Sequence, residues 1–61
     1  MMADEKKVLR LLKTARGQMD GIIKMVEENR YCIDISQQLM ATEAILNRAN
    51  KEILAAHLKH C

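Results

Sequence analysis

Apolar residues recur along the first half of the chain at alternating intervals of four and three positions. This is the period of an amphipathic helix that packs against a partner helix. The pattern predicts a first helix over about residues 4–28, beginning at Asp4, whose side chain is expected to cap the first turn. The predicted apolar stripe of this helix is Val8, Leu12, Ala15, Met19, Ile22 and Val26.

A short polar segment from Glu27 to Arg30 interrupts the stripe and is expected to form a turn. Asn29 is the residue expected to adopt the left-handed conformation that ends the first helix. A second, continuous helix is predicted over about residues 32–61, because the same spacing resumes there and no proline or glycine follows. Its predicted stripe is Ile35, Leu39, Thr42, Leu46, Ala49, Ile53 and Ala56.

The composition agrees with two helices and no strands. Leu, Ala, Met, Glu, Lys and Gln dominate the 61 residues, proline is absent, and Tyr31 is the only aromatic residue. These residues favour helices, whereas strands favour β-branched and aromatic residues. We therefore predict an all-α fold, in which an antiparallel helical hairpin forms a single domain over residues 1–61.

The hairpin is expected to associate with further copies of itself. A chain of this length is near the lower limit for an independent fold, and two helices bury only one seam. Other apolar residues of the second helix lie off its stripe, namely Ile33, Met40, Ile45, Leu54 and Leu58. Gly17 and Gly21, inside the first helix, indicate either the close approach of another backbone or glycines tolerated on the surface.

Charge and hydropathy narrow the function only slightly. The formal net charge is +2, which neither supports nor excludes DNA binding. The start of the chain does not have the pattern of a secretory signal and no stretch is long enough to span a membrane, so the cytoplasm is the expected location. In that reducing compartment the two cysteines are expected to be free thiols, metal ligands or redox sensors rather than a structural disulfide.

His57 and Cys61 are candidate metal ligands. They are four residues apart, so on a helix they lie on one face and can bind one ion. Cys32, the third candidate, precedes His57 by 25 residues, or roughly 37 Å at the helical rise of about 1.5 Å per residue. One chain therefore cannot close the site. If two copies pack with their second helices antiparallel, Cys32 of one copy meets His57 and Cys61 of the other.

This set of ligands favours copper(I). Two thiolates and one imidazole form a soft, low-coordinate set, which suits Cu(I) and leaves Zn(II) one ligand short. The same cysteines could instead react with persulfide or an oxidant without any metal. A structural helical oligomer with incidental cysteines is a third alternative. An enzyme is not expected, because the sequence has neither a glycine-rich phosphate loop nor paired carboxylates in a plausible cleft.

Three segments of the sequence carry a specific combination of motifs. They are the segment Arg16-Gly17-Gln18-Met19-Asp20-Gly21-Ile22, the run from Met25 through Tyr31-Cys32-Ile33-Asp34, and the run from Arg48 through His57-Leu58-Lys59-His60-Cys61. Together these RGQxxG, YCxD and HLxxC elements resemble the copper-sensitive operon repressor (CsoR) family, over nearly the whole chain from about Leu9. Cys32, His57 and Cys61 match its Cu(I) branch, since the persulfide branch lacks the middle histidine and the nickel/cobalt and formaldehyde branches lack the last cysteine.

The resemblance also implies how the site is built. It implies a dimer in the form of a four-helix bundle, a tetramer built as a dimer of dimers, and a third helix that would follow Cys61. It places Tyr31 beside the copper site, where a hydroxyl can help to orient the ligands. From the residues alone, Tyr31 could equally be an interfacial residue at the start of a helix, and His60 is expected to lie on the surface.

DNA binding through a flat, basic face of the tetramer is the other implication of the resemblance. Arg16 and Arg48 match the basic positions of the family, and Arg10 and Lys13 lie on or near the same face of the first helix. Leu11 stands where the family often has a basic residue. Phosphate contacts repeated over four subunits would explain how a chain of charge +2 binds operator DNA. The implied function is repression that Cu(I) relieves. When Cu(I) binds, the protein binds operator DNA more weakly, and copper-resistance genes are then transcribed.

Overall fold

Two antiparallel α-helices make up the part of the chain that the structure describes. The structure is a computed structural model that describes the backbone of residues 4–60 and the side chains of residues 4–58. Helix α1 spans Glu5–Glu27 and helix α2 spans Cys32–His60. Within residues 4–60 there is no strand, and the two helices pack closely against each other. The prediction of an all-α helical hairpin is therefore confirmed.

Helix α1 begins with the predicted cap. Asp4 has an extended backbone conformation, and its side-chain carboxylate accepts a hydrogen bond from the backbone N–H of Lys7 at 3.2 Å. Glu5 adds a negative charge in the first turn, where the positive end of the helix dipole favours it. The hydrogen bond to Asp4 satisfies one of the backbone N–H groups that the first turn leaves without a helical partner.

The turn between the helices is centred on Asn29, as predicted. Its φ angle is 55°, in the left-handed region that asparagine tolerates better than most residues. The backbone N–H of Asn29 donates to the carbonyl of Val26 at 3.0 Å, and that of Arg30 donates to the carbonyl of Met25 at 2.9 Å. This is the Schellman arrangement, which satisfies the last carbonyls of a helix while the chain reverses.

The two helices meet along one narrow seam. The fully buried residues are Val8, Leu11, Ala15 and Ile22 of α1 with Thr42 and Ala49 of α2. Half-buried residues continue both rows at the same spacing, namely Lys7, Gln18, Met25, Ile35, Gln38, Ile45, Glu52 and Ala56. Intervals of three and four keep these side chains on the line where two nearly antiparallel helices touch.

Of the thirteen predicted members of the two apolar stripes, five are buried, two are half-buried and six are exposed. Val8, Ala15, Ile22, Thr42 and Ala49 are buried as predicted. Ile35 and Ala56 are half-buried, and the remaining six members are 38–59% exposed in the hairpin: Leu12, Met19, Val26, Leu39, Leu46 and Ile53. On both helices a second apolar row lies beside the seam, and a helical repeat in the sequence does not tell one row from the other.

A polar pair interrupts the middle of the seam. Thr42 is only 2% exposed, and its hydroxyl donates a hydrogen bond to Oε1 of Gln18 at 2.8 Å. The same hydroxyl lies 3.2 Å from the carbonyl oxygen of Gln38, one turn earlier on α2. Towards the open end of the hairpin, Nζ of Lys7 and Oε1 of Glu52 form an ion pair at 2.7 Å. The seam is thus held by apolar contacts together with specific polar ones.

One broad side of the hairpin remains apolar and uncovered. We call it the outer apolar face, and it consists of the rows Leu12, Met19 and Val26 on α1 and Leu39, Leu46 and Ile53 on α2. The two rows lie on one side, because one surface groove is lined by Leu12, Met19 and Leu46 and another by Leu12 and Ile53. The hairpin measures 45 by 17 by 11 Å, so it is one helix layer thick and a second layer would bury this face. Within the described residues, neither helix is long and apolar enough to cross a membrane.

Gly17 and Gly21 lie away from the seam. A Cβ atom built at either position would meet no atom within 4 Å beyond its immediate helical neighbours. Helix α2 therefore does not approach α1 at these glycines. The close approach of another backbone, if there is one, would therefore come from another molecule. Otherwise the two glycines are simply surface positions.

Candidate functional site

Cys32 is the first residue of α2. The carbonyl of Tyr31 accepts the first hydrogen bond of this helix, from the backbone N–H of Ile35 at 3.2 Å, so Tyr31 precedes the first turn. The thiol of Cys32 is free and exposed. Tyr31 is 67% exposed and extends from the turn rather than into the seam. Both side chains are therefore placed where a second molecule can reach them.

His57 lies near the opposite end of the same helix. Its side chain is exposed, and α2 runs without a break from Cys32 to His60. The 25 residues between Cys32 and His57 correspond to roughly 37 Å, close to the full 45 Å length of the hairpin. Cys61 and the side chain of His60 lie outside the described residues. Among the described side chains, no three His, Cys, Asp or Glu residues come together as a metal-binding group.

Both described ligand candidates lie on the outer apolar face. Cys32 precedes Leu39 by seven residues and His57 follows Ile53 by four, which are intervals that keep side chains on one side of a helix. The row along α2 is therefore Cys32, Leu39, Leu46, Ile53 and His57. The candidate ligands occupy the two ends of this row, and the residues between them are apolar and exposed.

Basic side chains cluster on another exposed side of α1. Arg10 and Lys13 line one shallow depression together with Lys6, Leu9 and Thr14. The hydroxyl of Thr14 donates to the carbonyl of Arg10 at 2.8 Å and so remains on the helix surface. Arg10 and Lys13 are thus neighbours, as their spacing predicted. Lys6 was missed from the sequence, although its intervals of four and seven to Arg10 and Lys13 are the signal that reveals it.

Arg16 and Arg48 lie on different sides of the hairpin. Arg16 borders the outer apolar face, where it lines a groove with Leu12, Asp20 and Leu46. Arg48 is exposed and follows Leu46 by two residues, which is about 200° around the helix. It therefore projects away from the side that Leu46 faces. One hairpin does not bring these two arginines together.

Comparison with known proteins identifies the class to which this hairpin belongs. The family model of metal-sensitive transcriptional repressors matches residues 4–61. Since this match covers nearly the whole chain, the chain belongs to the family of metal-sensitive transcriptional repressors. The family consists of regulators of transcription rather than enzymes.

Individual relatives within this family are named as copper-sensing repressors. The chain is 48% identical over 61 residues to the copper-sensing transcriptional repressor CsoR of Mycobacterium ulcerans, a match that covers 98% of this chain and 52% of that protein. It is 41% identical over 61 residues to CsoR of Mycobacterium tuberculosis H37Rv, covering 100% of this chain and 51% of the relative. It is 36% identical over 58 residues to CsoR of Bacillus subtilis, covering 95% and 57%.

These matches confirm the family resemblance that the three sequence motifs indicate. They extend over the whole hairpin rather than a single motif. The chain spans about half the length of the curated relatives it matches.

Proposed function

We propose that this chain is the helical hairpin of a Cu(I)-responsive repressor, which binds operator DNA in the cytoplasm and releases it when Cu(I) binds. The regulated genes would be those that confer copper resistance. Membership of the metal-sensitive repressor family supports this proposal, as do the relatives named as copper-sensing repressors. The ligands proposed for the ion are Cys32 of one subunit with His57 and Cys61 of another.

The observation that carries the proposal is the row along α2 with Cys32 and His57 at its ends. Leu46 follows Cys32 by 14 residues and precedes His57 by 11. A second copy packed antiparallel about a two-fold axis near Leu46 would place Cys32 of each copy opposite position 60 of the other. Position 60 lies between His57 and Cys61 in the sequence. Burial of the outer apolar face and assembly of two equivalent metal sites would then be a single event.

The chemistry of the proposed donors supports copper(I). Two thiolates and one imidazole are soft donors, and three ligands suffice for Cu(I), whereas structural Zn(II) sites use four. Cys32 is a free, exposed thiol and His57 is exposed, so both side chains can turn towards an ion without leaving a buried partner. Tyr31, next to Cys32, is proposed to orient the ligands.

We further propose that DNA binds to a basic surface that forms only in the oligomer. Arg10, Lys13 and Lys6 supply one cluster on each hairpin. Arg16 and Arg48 lie on different sides of one hairpin, so neighbouring subunits of a tetramer would have to combine them. Each phosphate contact is repeated by symmetry, which multiplies the effect of a modest net charge.

Metal binding would act on DNA binding through the subunit interface. The proposed ligands come from two subunits, so closing the site changes how the hairpins lie against each other. A change of roughly 10- to 150-fold in operator affinity requires a coupling free energy of about 1–3 kcal/mol. One site at each end of the interface is sufficient for an effect of that size.

An anaerobic Cu(I) titration of the reduced protein tests the proposal. X-ray absorption should report two sulfur ligands and one nitrogen ligand for one ion per chain, and affinity for an operator selected from a random DNA pool should fall. The variant His57→Gln should lose the nitrogen ligand and the DNA response. The matched control is His60→Gln, which replaces the other histidine and should retain both.

A thiol-based sensor of the same fold is the second candidate, and the exposed thiol of Cys32 favours it. In that case persulfide treatment would release the DNA, and His57→Gln would respond as the unmodified sequence does. Copper bound weakly and without nitrogen, together with release of DNA by persulfide, would overturn the copper proposal in favour of this one.

A further inference from the structure

The helices of this hairpin could face each other in more than one way. Each helix has two neighbouring apolar rows, one in the seam and one on the outer apolar face. Turning α1 by about half of the 100° step between neighbouring residues would replace Leu11 in the seam by Leu12, while Ala15 and Ile22 would stay there. The hydrophobic effect is not directional, so the free energy gained by burying Leu11 differs little from the free energy gained by burying Leu12. Hydrophobic burial therefore distinguishes poorly between the two arrangements.

The connection between the helices does not remove this ambiguity. The turn from Glu28 to Tyr31 is short and hydrogen-bonded, so it restricts sliding of one helix along the other. Rotation of a helix about its own axis changes the position of its end much less than sliding does. A different feature must therefore select the rows that face inward.

Gln18 and Thr42 meet in only one of the two arrangements. Thr42 is 2% exposed, and its hydroxyl donates to Oε1 of Gln18 at 2.8 Å across the seam. The same rotation of α1 would turn Gln18 away from Thr42. The hydroxyl would keep the carbonyl of Gln38, 3.2 Å away on its own helix, so the interaction lost is the one between helices.

We propose that Gln18 and Thr42 are a positioning pair that selects which apolar rows face inward. By doing so they keep the outer apolar face, with Cys32 and His57 at the ends of its α2 row, available to a second copy. The consequence for metal binding rests on the proposed function, whereas the selection of rows does not. A single polar layer in an apolar helix interface is known to specify helix alignment at a cost in stability.

The test compares the unmodified chain with Thr42→Val, Gln18→Met and the double variant, all of which keep the side-chain size nearly constant. Thr42→Ser keeps the hydroxyl and should restore the alignment that Thr42→Val loses. Thr14→Val is the matched control, because the Thr14 hydroxyl also donates to a carbonyl one turn earlier, that of Arg10, but lies on the exposed surface. Both valine variants change the helix propensity equally.

Isotope-filtered NMR on mixed labelled and unlabelled chains separates methyl contacts within a chain from contacts between chains. In the unmodified chain and in Thr42→Ser, Leu11 should contact the buried methyl group of Ala49 in its own chain, whereas Leu12 should contact only Leu46 and Ile53, with which it lines surface grooves. In the double variant, contacts of Leu12 with Ala49 of its own chain should appear in about a third to a half of the molecules. The midpoint of urea unfolding should stay the same or rise, since a polar pair has been replaced by apolar side chains.

The same variants are then titrated with Cu(I) in competition with a chelator. The apparent affinity of the double variant should fall by about two- to fourfold, because each proposed site needs two chains in the binding-competent alignment. A double variant that keeps the contacts of the unmodified chain would overturn the proposal. So would a Thr14→Val variant that loses them. If the unmodified chain fails to bind Cu(I), the proposed function is wrong, but the NMR contacts still decide whether Gln18 and Thr42 select the rows.

Discussion

Leu11 and Leu12 are adjacent in the sequence, but Leu11 is 6% exposed in the seam and Leu12 is 41% exposed on the outer apolar face. Two adjacent leucines on the same helix thus have two different roles. Leu11 holds the hairpin together, whereas Leu12 is available for packing between copies. This contrast provides a matched pair of variants.

Leu11→Ala should lower the free energy of unfolding by about 2–4 kcal/mol, because it leaves a cavity in a narrow seam. Leu12→Ala should instead mainly weaken association, and so make the unfolding midpoint more dependent on protein concentration. Urea unfolding at several concentrations measures both effects. Equal effects of the two variants on both quantities would contradict the assignment of Leu11 to the seam and Leu12 to an interface.

Asn29 should be sensitive to its left-handed backbone conformation. Asn29→Ala should destabilise the hairpin by about 1 kcal/mol, since a residue with a Cβ and no local hydrogen-bonding group is strained there, whereas Asn29→Gly should be neutral or stabilising. The control is Asn47→Ala at an exposed position within α2, which should stabilise by a few tenths of a kcal/mol. Thermal unfolding of the three variants gives the comparison, and a loss of stability in Asn29→Gly would refute the explanation.

The proposed intersubunit metal site predicts a definite number of sites for mixed subunits. Neither Cys32→Ser nor His57→Ala should bind Cu(I) with the full ligand set by itself. Refolding the two variants together in equal amounts should restore about a quarter of the sites, because half of the dimers are mixed and each mixed dimer has one intact site of two. Competition titration counts the restored sites.

A site formed within one chain would show no such recovery, because each chain in the mixture lacks one of the ligands. The Cys32→Ser variant refolded alone in the same way is the control for any effect of refolding.

The basic cluster on α1 should contribute to DNA binding through phosphate contacts. Arg10→Ala and Lys6→Ala should each weaken binding similarly for all DNA sequences, and each should reduce the slope of log affinity against log salt by about one per contacting subunit. Lys51→Ala, at an exposed position on α2, is the matched control and should leave the slope unchanged. Fluorescence anisotropy at several salt concentrations measures the slopes. An unchanged slope for Arg10→Ala would remove this surface from the DNA-binding face.

Much of the local structure could be predicted from the sequence. The start of α1 at Asp4 and the reversal at Asn29 both depend on hydrogen bonds between residues three to five positions apart. Such interactions are complete within a short segment, so the residue types alone reveal them. The chemistry of the candidate ligands is also a property of residue type, because a thiol or an imidazole has the same preferences wherever the fold places it.

The arrangement of the two helices could be predicted only in part. The sequence indicated the period of the apolar rows but not which row enters the seam, so Leu11 was missed and Leu12 was wrongly placed there. The two positions differ by about 100° around one helix, and only contacts with the other helix decide between them. Likewise, the spacing between Arg16 and Arg48 does not reveal that they project from different sides.

The sequence by itself therefore determined two helices, the cap and turn that bound the first of them, and a set of residues with the chemistry to bind a soft metal ion. Tertiary structure decided that Gln18 meets Thr42, that Leu46 and Leu12 face outward, and that Cys32 and His57 end one exposed row. The reason is physical. Caps and turns arise between neighbours along the chain, whereas the choice of a helix face arises from contacts between residues far apart in the sequence, such as Gln18 and Thr42, which are 24 positions apart.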